Sequence, residues 1–409
     1  MVKFKKFESL MPKKEFLKAV SALPYDVFSI DEGKSEIVKN PLSFLSVDLP
    51  LATINEETSE NDPKIYEKAL ENFKILKERS YEKDKEKRLY LYELTMNEKS
   101  QLGLVCCLSA DDYQKGIIKR HEFTRKDKEE DRTKHIEKLN AHTGPVFLAF
   151  KENEKLENLM KAESQKEPYG DFISDDGVRH RVWKVSIEKS DEIISAFKDI
   201  KNLYIADGHH RCQSALNVCL KRRAENSSYD PDAEFNFFLG VCFPQKQLNI
   251  LDYNRLVKDL NSLSVNEFLE KICKKFCLQK MGDKMIKPAK KGEFSMYLEG
   301  VSYKLKIKED FIEDDPVLSL DVSILQNNLL DPILGIKNPR TDKRIDFVGG
   351  IRGLDELEKR TREDMKVAFA LYPTSMDELF KVADSGLVMP PKSTWFEPKL
   401  RSGIFIHEI

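Results

Sequence analysis

Leu203-Tyr204-Ile205-Ala206-Asp207-Gly208-His209-His210-Arg211 reads as a short apolar strand that runs through a glycine into a cluster of polar groups. After it, Cys212, Ala215, Leu216 and Cys219 fall at i, i+3, i+4 and i+7, which predicts a helix starting near His210. Strand, glycine turn and helix in direct succession place free N–H groups, two imidazoles and a guanidinium around one helix N-terminus, an arrangement suited to an anion. Arg211 can grip a phosphate bidentately, and His209 or His210 can donate a hydrogen bond or carry a proton. Gly208 permits a positive φ or the close approach of a ligand. Asp207, at the carboxyl end of the strand, is placed to hold magnesium or to orient a histidine.

Working outward, strands and helices alternate. Residues 88 to 96 and 102 to 109 predict a hairpin joined by Asn97-Glu98-Lys99-Ser100-Gln101, and 145 to 150, 182 to 187 and 235 to 243 predict further strands. Ile65, Ala69, Phe73 and Leu76 predict a helix over 63 to 80, while 40 to 50 alternates like a strand. The charge-dense run from Lys119 to Arg132 reads as a solvated helix, or, because Gly116-Ile117-Ile118 leads into it, as polar groups leaving a strand end. In the second form Lys119 and Arg120 neutralise phosphate, and His121 or Glu122 supplies a base. Arg179-His180-Arg181, ahead of another strand, is a similar cluster.

Further on, Ser264-Val265-Asn266-Glu267 predicts a capping box, and Glu299-Gly300 a hairpin turn between 294–298 and 303–307. Gly349-Gly350-Ile351-Arg352-Gly353 is either a phosphate nest or a tight structural turn. The proline-rich tail from Met389 to Lys399 predicts an ordered loop, in which Lys392, Lys399 and the nearby Arg401 can close over an anion. The expected division is an α/β region over 1–245 and an α+β region over 246–409.

Composition excludes several classes. In 409 residues, 68 lysines and arginines nearly cancel 70 aspartates and glutamates, so no global field draws the chain to nucleic acid or an anionic membrane. No stretch reaches the roughly 18 to 20 apolar residues that cross a bilayer, and the basic opening lacks the apolar run of an export signal. Seven cysteines, an odd number, suit a reducing, cytoplasmic setting. Cys106, Cys107, Cys273 and Cys277 are read as buried small hydrophobes rather than metal ligands. The familiar nucleotide-binding and hydrolase motifs are absent.

Leu23-Pro24-Tyr25-Asp26-Val27, Ile118-Lys119-Arg120-His121-Glu122-Phe123-Thr124, Gly177-Val178-Arg179-His180-Arg181-Val182-Trp183, Tyr204 to Arg211 and Met389 to Lys399 together resemble the domain-of-unknown-function 1015 family across the chain. One departure is Leu23, where a proline is usual. The Asp207–Arg211 element is similar to the phosphate-binding loop of the ParB and sulfiredoxin superfamily, to which free-serine kinases belong. The resemblance implies a ParB/sulfiredoxin-like nucleotide-binding core with an additional α+β part. It also implies transfer of a phosphoryl group from ATP or ADP, with Mg2+, to the hydroxyl of free L-serine, giving O-phospho-L-serine.

On that implication Gly208, Arg211, Lys119, Arg120 and His121 surround the phosphate. Asp207, with His209 or His210, holds the metal and balances developing charge. Glu122 is the first choice of base and Asp26 the second, and Asp26, His180, Lys392 and Lys399 face the substrate. The same residues also admit a metal-dependent phosphatase or nucleotidase, or a non-enzymatic ParB-like nucleotide-binding module. A homo-oligomer is admitted but not specified.

Overall fold

A computed structural model describes residues 2–54, 58–59 and 62–409. The chain divides into two compact units, Met1–Leu248 with Pro398–Ile409, and Asn249–Glu397. Pro398–Ile409 thus belongs with the first unit, a difference from the expectation of one C-terminal region running unbroken to residue 409. Its backbone explains why: Ser402 exchanges hydrogen bonds with Ala22, Gly403 N donates to Thr143 O at 3.1 Å, and His407–Glu408 pairs with Ala141–His142.

The first unit is α/β, built on a nine-stranded mixed sheet. Its path runs Ile118–Lys119, Leu203–Asp207, Val146–Phe150, Phe237–Pro244, Lys99–Ser109, Tyr90–Met96, Arg179–Lys184, Gly170–Ile173, with Phe4–Lys5 pairing beside Lys99–Ser109. The hairpin is tighter than its polar linker suggests. Only Asn97 and Glu98 form the turn, both at positive φ (49° and 64°), matching the twist of a two-residue connection. Leu91, Leu104, Cys106, Leu148, Phe150, Leu203, Ile205 and Cys242 share a core with residues of the helices Glu154–Ser164, Ile187–Phe197 and His209–Glu225. A second, smaller core joins the helix Pro63–Ser80, through Ala69, Phe73 and Leu76, to Phe44, Leu45, Leu139 and Ile406.

Three expectations need correction. Residues 40 to 50 are not a strand: Leu45–Asp48 is helical and Pro50–Thr53 is a 3-10 turn. Ser43 to Asp48 are all buried, so the alternation corresponds to no in-and-out pattern. The charged run forms strand Ile118–Lys119, then a loop, then helix Lys126–Leu139, one side of which is buried through Arg132, His135, Ile136 and Leu139. That side is tolerated because Arg132 stacks at 4.1 Å on the Tyr25 ring and bonds the Asp131 carboxylate and the Asp48 carbonyl. Cys106 and Cys107 are buried as expected, but Cys273 and Cys277 are exposed.

The second unit is α+β, with an antiparallel sheet ordered Phe276–Gly282, Val301–Ile307, Glu293–Leu298, Val367–Leu371, Tyr253–Val257, Ile345–Gly349. The capping box forms at Ser264 and Glu267, and Glu299-Gly300 turns the hairpin. The glycine pair packs tightly: a Cβ on Gly349 would meet the Trp395 ring at 2.6 Å, and Gly350 donates its N–H to the Asp252 carbonyl at 2.7 Å. That amide is spent on the fold, which favours the structural turn over an anion nest.

Candidate functional site

Sheet geometry brings three loops to one end of the first unit. Leu203–Asp207 runs parallel to Ile118–Lys119, so the segments that follow them leave the sheet on the same side. Val146–Phe150 runs antiparallel to Leu203–Asp207, and the Thr143-Gly144-Pro145 segment that enters it reaches the same end.

Leu203–Asp207 passes directly through Gly208 into the helix His209–Glu225. Gly208 adopts φ 90° and ψ 29°, a left-handed conformation that costs an L residue strain and a glycine nothing. The helix start has no side-chain cap and no acid in its first turn, so its first amides remain available to an anion. Arg211 crosses towards the neighbouring strand and donates Nη1–H to the Pro145 carbonyl at 3.0 Å. Gly144 makes room for it: a Cβ there would lie 3.2 Å from the guanidinium carbon and 3.0 Å from Ser402 Oγ.

Both Asp207 oxygens are engaged. Oδ1 accepts the Gly208 N–H at 2.7 Å, and Oδ2 accepts from Lys399 Nζ at 2.8 Å. Burial would raise this carboxyl, but Lys399, and behind it Arg211 and the Gly208 amide, hold it well below the usual carboxylate range. It is an anion at any physiological pH.

The imidazoles are neutral. His209 Nε2 accepts the backbone N–H of His121 at 3.5 Å, and the two rings meet edge to face with centroids 4.6 Å apart. His210 Nε2 accepts the backbone N–H of Arg125 at 3.0 Å. Burial drives His121 down to about 4, against the pull of a backbone hydrogen bond and of Asp207. Burial and then the His121 ring push His209 well below its ordinary value, and burial lowers His210 against the opposing charges of Asp26 and Glu129. Each acceptor Nε2 leaves the ring proton on Nδ1. Positive charge at this site therefore comes from Arg211, Arg120 and Lys399, whereas Lys119, paired with Tyr204, holds its Nζ 5.9 Å from that ring, three residues back along the strand from Asp207.

The sequence profile described as "Protein of unknown function (DUF1015)" matches residues 4–323. The chain belongs to the DUF1015 family. Among solved structures, this DUF1015 protein is similar to a free serine kinase variant in complex with AMP, at 12% identity and TM-score 0.37, covering 74% of this chain and 92% of that one. It is also similar to a conserved hypothetical protein from Pyrococcus furiosus, at 14% identity and TM-score 0.35, covering 74% and 94%. SbnI with a C-terminal truncation, from Staphylococcus aureus, follows at 11% identity and TM-score 0.37, covering 72% and 82%. No curated protein matches this DUF1015 chain. No helix among the described residues is long and apolar enough to cross a membrane.

The remaining candidates of the DUF1015 chain fall in different places. Glu122 is half-buried in the loop after Lys119, beside His121. Asp26 is exposed in the 3-10 turn Tyr25–Val27 and acts electrostatically on His210. His180 lies within the strand Arg179–Lys184 rather than ahead of it, in a cluster of its own. Its Nδ1 meets Tyr92 OH at 2.8 Å and its Nε2 meets Ser174 Oγ at 2.9 Å, while Arg401 bonds Asp176 and Ser174 alongside. Burial, then the Arg401 charge, takes His180 down to about 3. Lys392 belongs to the second unit, where its ammonium stands 5.5 Å from the Tyr253 ring and its carbonyl accepts from Arg255.

Arg125, Arg132 and Gly144 support the site and Arg401 the separate His180 cluster, and the first three carry no role in the sequence. Arg125 contributes a backbone amide, which leaves no residue-type signal, and Arg132 is hidden in a charged run. Tyr25 sits inside the quoted Pro24-Tyr25-Asp26 turn, the one trace the sequence offers, and its contact with Arg132 exists only in the fold.

Proposed function

We propose that this chain is a small-molecule kinase that transfers a phosphoryl group from ATP or ADP to the hydroxyl of free L-serine. The observation that carries this reading is the uncapped helix start at Gly208–Arg211. It is bordered by Arg211, Arg120 and Lys399, and by imidazoles that are neutral and so act as fixed dipoles. Phosphoryl transfer demands positioning and charge stabilisation more than covalent chemistry, and these parts supply both. Family membership supports the same reading through the motifs that fall at the site.

In this reading the helix amides and Arg211 hold the phosphate, with Arg120 on its flank. Glu122 accepts the proton of the attacking hydroxyl, and Asp26, whose charge acts on His210, is the second choice. Magnesium suits the donor set as an ion that arrives with the nucleotide. Asp207 offers one carboxylate, whose oxygens already accept from the Gly208 N–H and Lys399, and among the described residues no group of three or more His, Cys, Asp or Glu forms a resident cage. Kinase magnesium takes most of its ligands from phosphates and water. When bound, it neutralises charge on those phosphates.

The test is incubation of purified protein with L-serine, magnesium and either ATP or ADP. Appearance of O-phospho-L-serine is expected. Its absence with both nucleotides, under conditions where the protein is folded, sinks the reading.

A further inference from the structure

We propose that Phe123 is the platform on which the base of a bound nucleotide stacks, so that the 120–125 loop holds the base while Gly208–Arg211 holds the phosphates. The inference rests on the nucleotide reading above and extends it to a residue given no role there.

Of the 24 phenylalanines in the chain, Phe123 alone stands among the exposed large hydrophobic side chains, at 51% exposure. Its ring forgoes burial energy that the other phenylalanines gain, although Tyr372 is a second exposed aromatic at 39%. Single exposed apolar residues are common on protein surfaces, so exposure by itself assigns nothing. Position does. The loop is pinned on both sides of Phe123 to the phosphate-site histidines, by His121 N to His209 Nε2 at 3.5 Å and by Arg125 N to His210 Nε2 at 3.0 Å. Each pin is two residues from Phe123, so its Cα lies within roughly 7 Å of chain from either anchor. That reach is of the order of a nucleotide.

The ring is also held. The Arg120 guanidinium stands 5.8 Å from its centroid, and Arg120 hydrogen-bonds Tyr113, whose hydroxyl donates to Gln213 of the phosphate-site helix at 3.1 Å. Arg120 therefore ties the ring's surroundings to the helix that carries Arg211. A purine or pyrimidine placed on Phe123 gains a π-face contact of the kind single-strand-binding proteins use, which every base can make. The ligand class is thus a nucleotide of broad base tolerance.

Calorimetric binding of ADP, ATP and inorganic pyrophosphate to the full chain, to Phe123→Ala and to Phe123→Trp tests this. Phe123→Ala is expected to weaken ADP and ATP roughly 5- to 100-fold and to leave pyrophosphate unchanged. Phe123→Trp is expected to retain nucleotide affinity and to show quenching of the new indole by ADP. Equal ADP affinity in the alanine variant and the unaltered chain overturns the proposal. So does a matching loss of pyrophosphate, which means that the ring shapes the loop rather than the base site. If the unaltered chain binds pyrophosphate and ADP with the same affinity, the stacking inference fails while the phosphate site stands. If it binds neither, the kinase reading falls with it.

Discussion

Lys399 and Asp207 are 192 positions apart in sequence, yet the lysine ammonium sits 2.8 Å from the aspartate carboxylate. The lysine side chain is largely buried and the aspartate side chain keeps 43% of its surface exposed. The segment that follows the second unit thus supplies a counter-charge to the strand end from which the Gly208–Arg211 turn begins.

Solvent screening at the exposed half of Asp207 limits this pair to about 1 kcal/mol. Lys399→Met is expected to lower stability by about that amount at pH 7. Because the folded carboxyl is depressed, the stabilisation is complete above its unfolded value of 3.8 and is lost as pH falls below it. Thermal melts of both proteins should converge in acid. A difference that persists unchanged below pH 3 would point to lost packing instead.

Gly208→Ala forces an L residue to φ 90°. A cost of about 1–2 kcal/mol is expected from strain, read as a shift of the denaturant midpoint at constant slope. Nucleotide binding should weaken as well, since relief of the strain rotates the first helical amides. An unaltered midpoint would show that the turn accepts a side chain.

Glu122→Gln separates binding from chemistry. Nucleotide affinity should remain within about twofold while turnover falls roughly 10²- to 10⁴-fold, the usual contribution of a general base. Asp26→Asn serves as the comparison. If it, and not Glu122→Gln, abolishes turnover with binding intact, the base assignment moves to Asp26.

Asp321, buried in the second unit, is raised to about 7. Desolvation dominates, the two contacts from Gly292 N–H oppose it, and Glu378 adds to it. Between pH 4 and 7 the folded state therefore holds a proton that the unfolded state has lost. Stability should decline as pH rises through that window and level off above it. Asp321→Asn should remove the part of this slope that Asp321 contributes, checked by melting temperatures at pH 5 and pH 8. An identical slope in both proteins would mean that the carboxyl ionises in the fold without penalty.

Local order was legible in the sequence wherever a periodic pattern met a backbone requirement. The strand ending at Asp207, the left-handed glycine, the helix from His209 and the capping box at Ser264 all depend on residues within a turn of one another. The same reasoning failed for 40 to 50, where burial on every side leaves no face for alternation to mark. The cluster Asp207 to Arg211 was likewise readable, because a strand end, a glycine and a helix start are contiguous in the chain.

What surrounds that cluster was decided only by the tertiary structure. Parallel pairing of Ile118–Lys119 with Leu203–Asp207 brings His121 and Arg125 onto the two histidines, and the return of Pro398–Ile409 brings Lys399 to Asp207 and Arg401 to Asp176. The strand exit beside Lys119 was an open alternative in the sequence, but its partners were not. Residue types and spacing set what a segment can form on its own. Which charge neutralises which, and which imidazole loses its proton, follow from desolvation and from neighbours chosen by long-range contacts that no local pattern encodes.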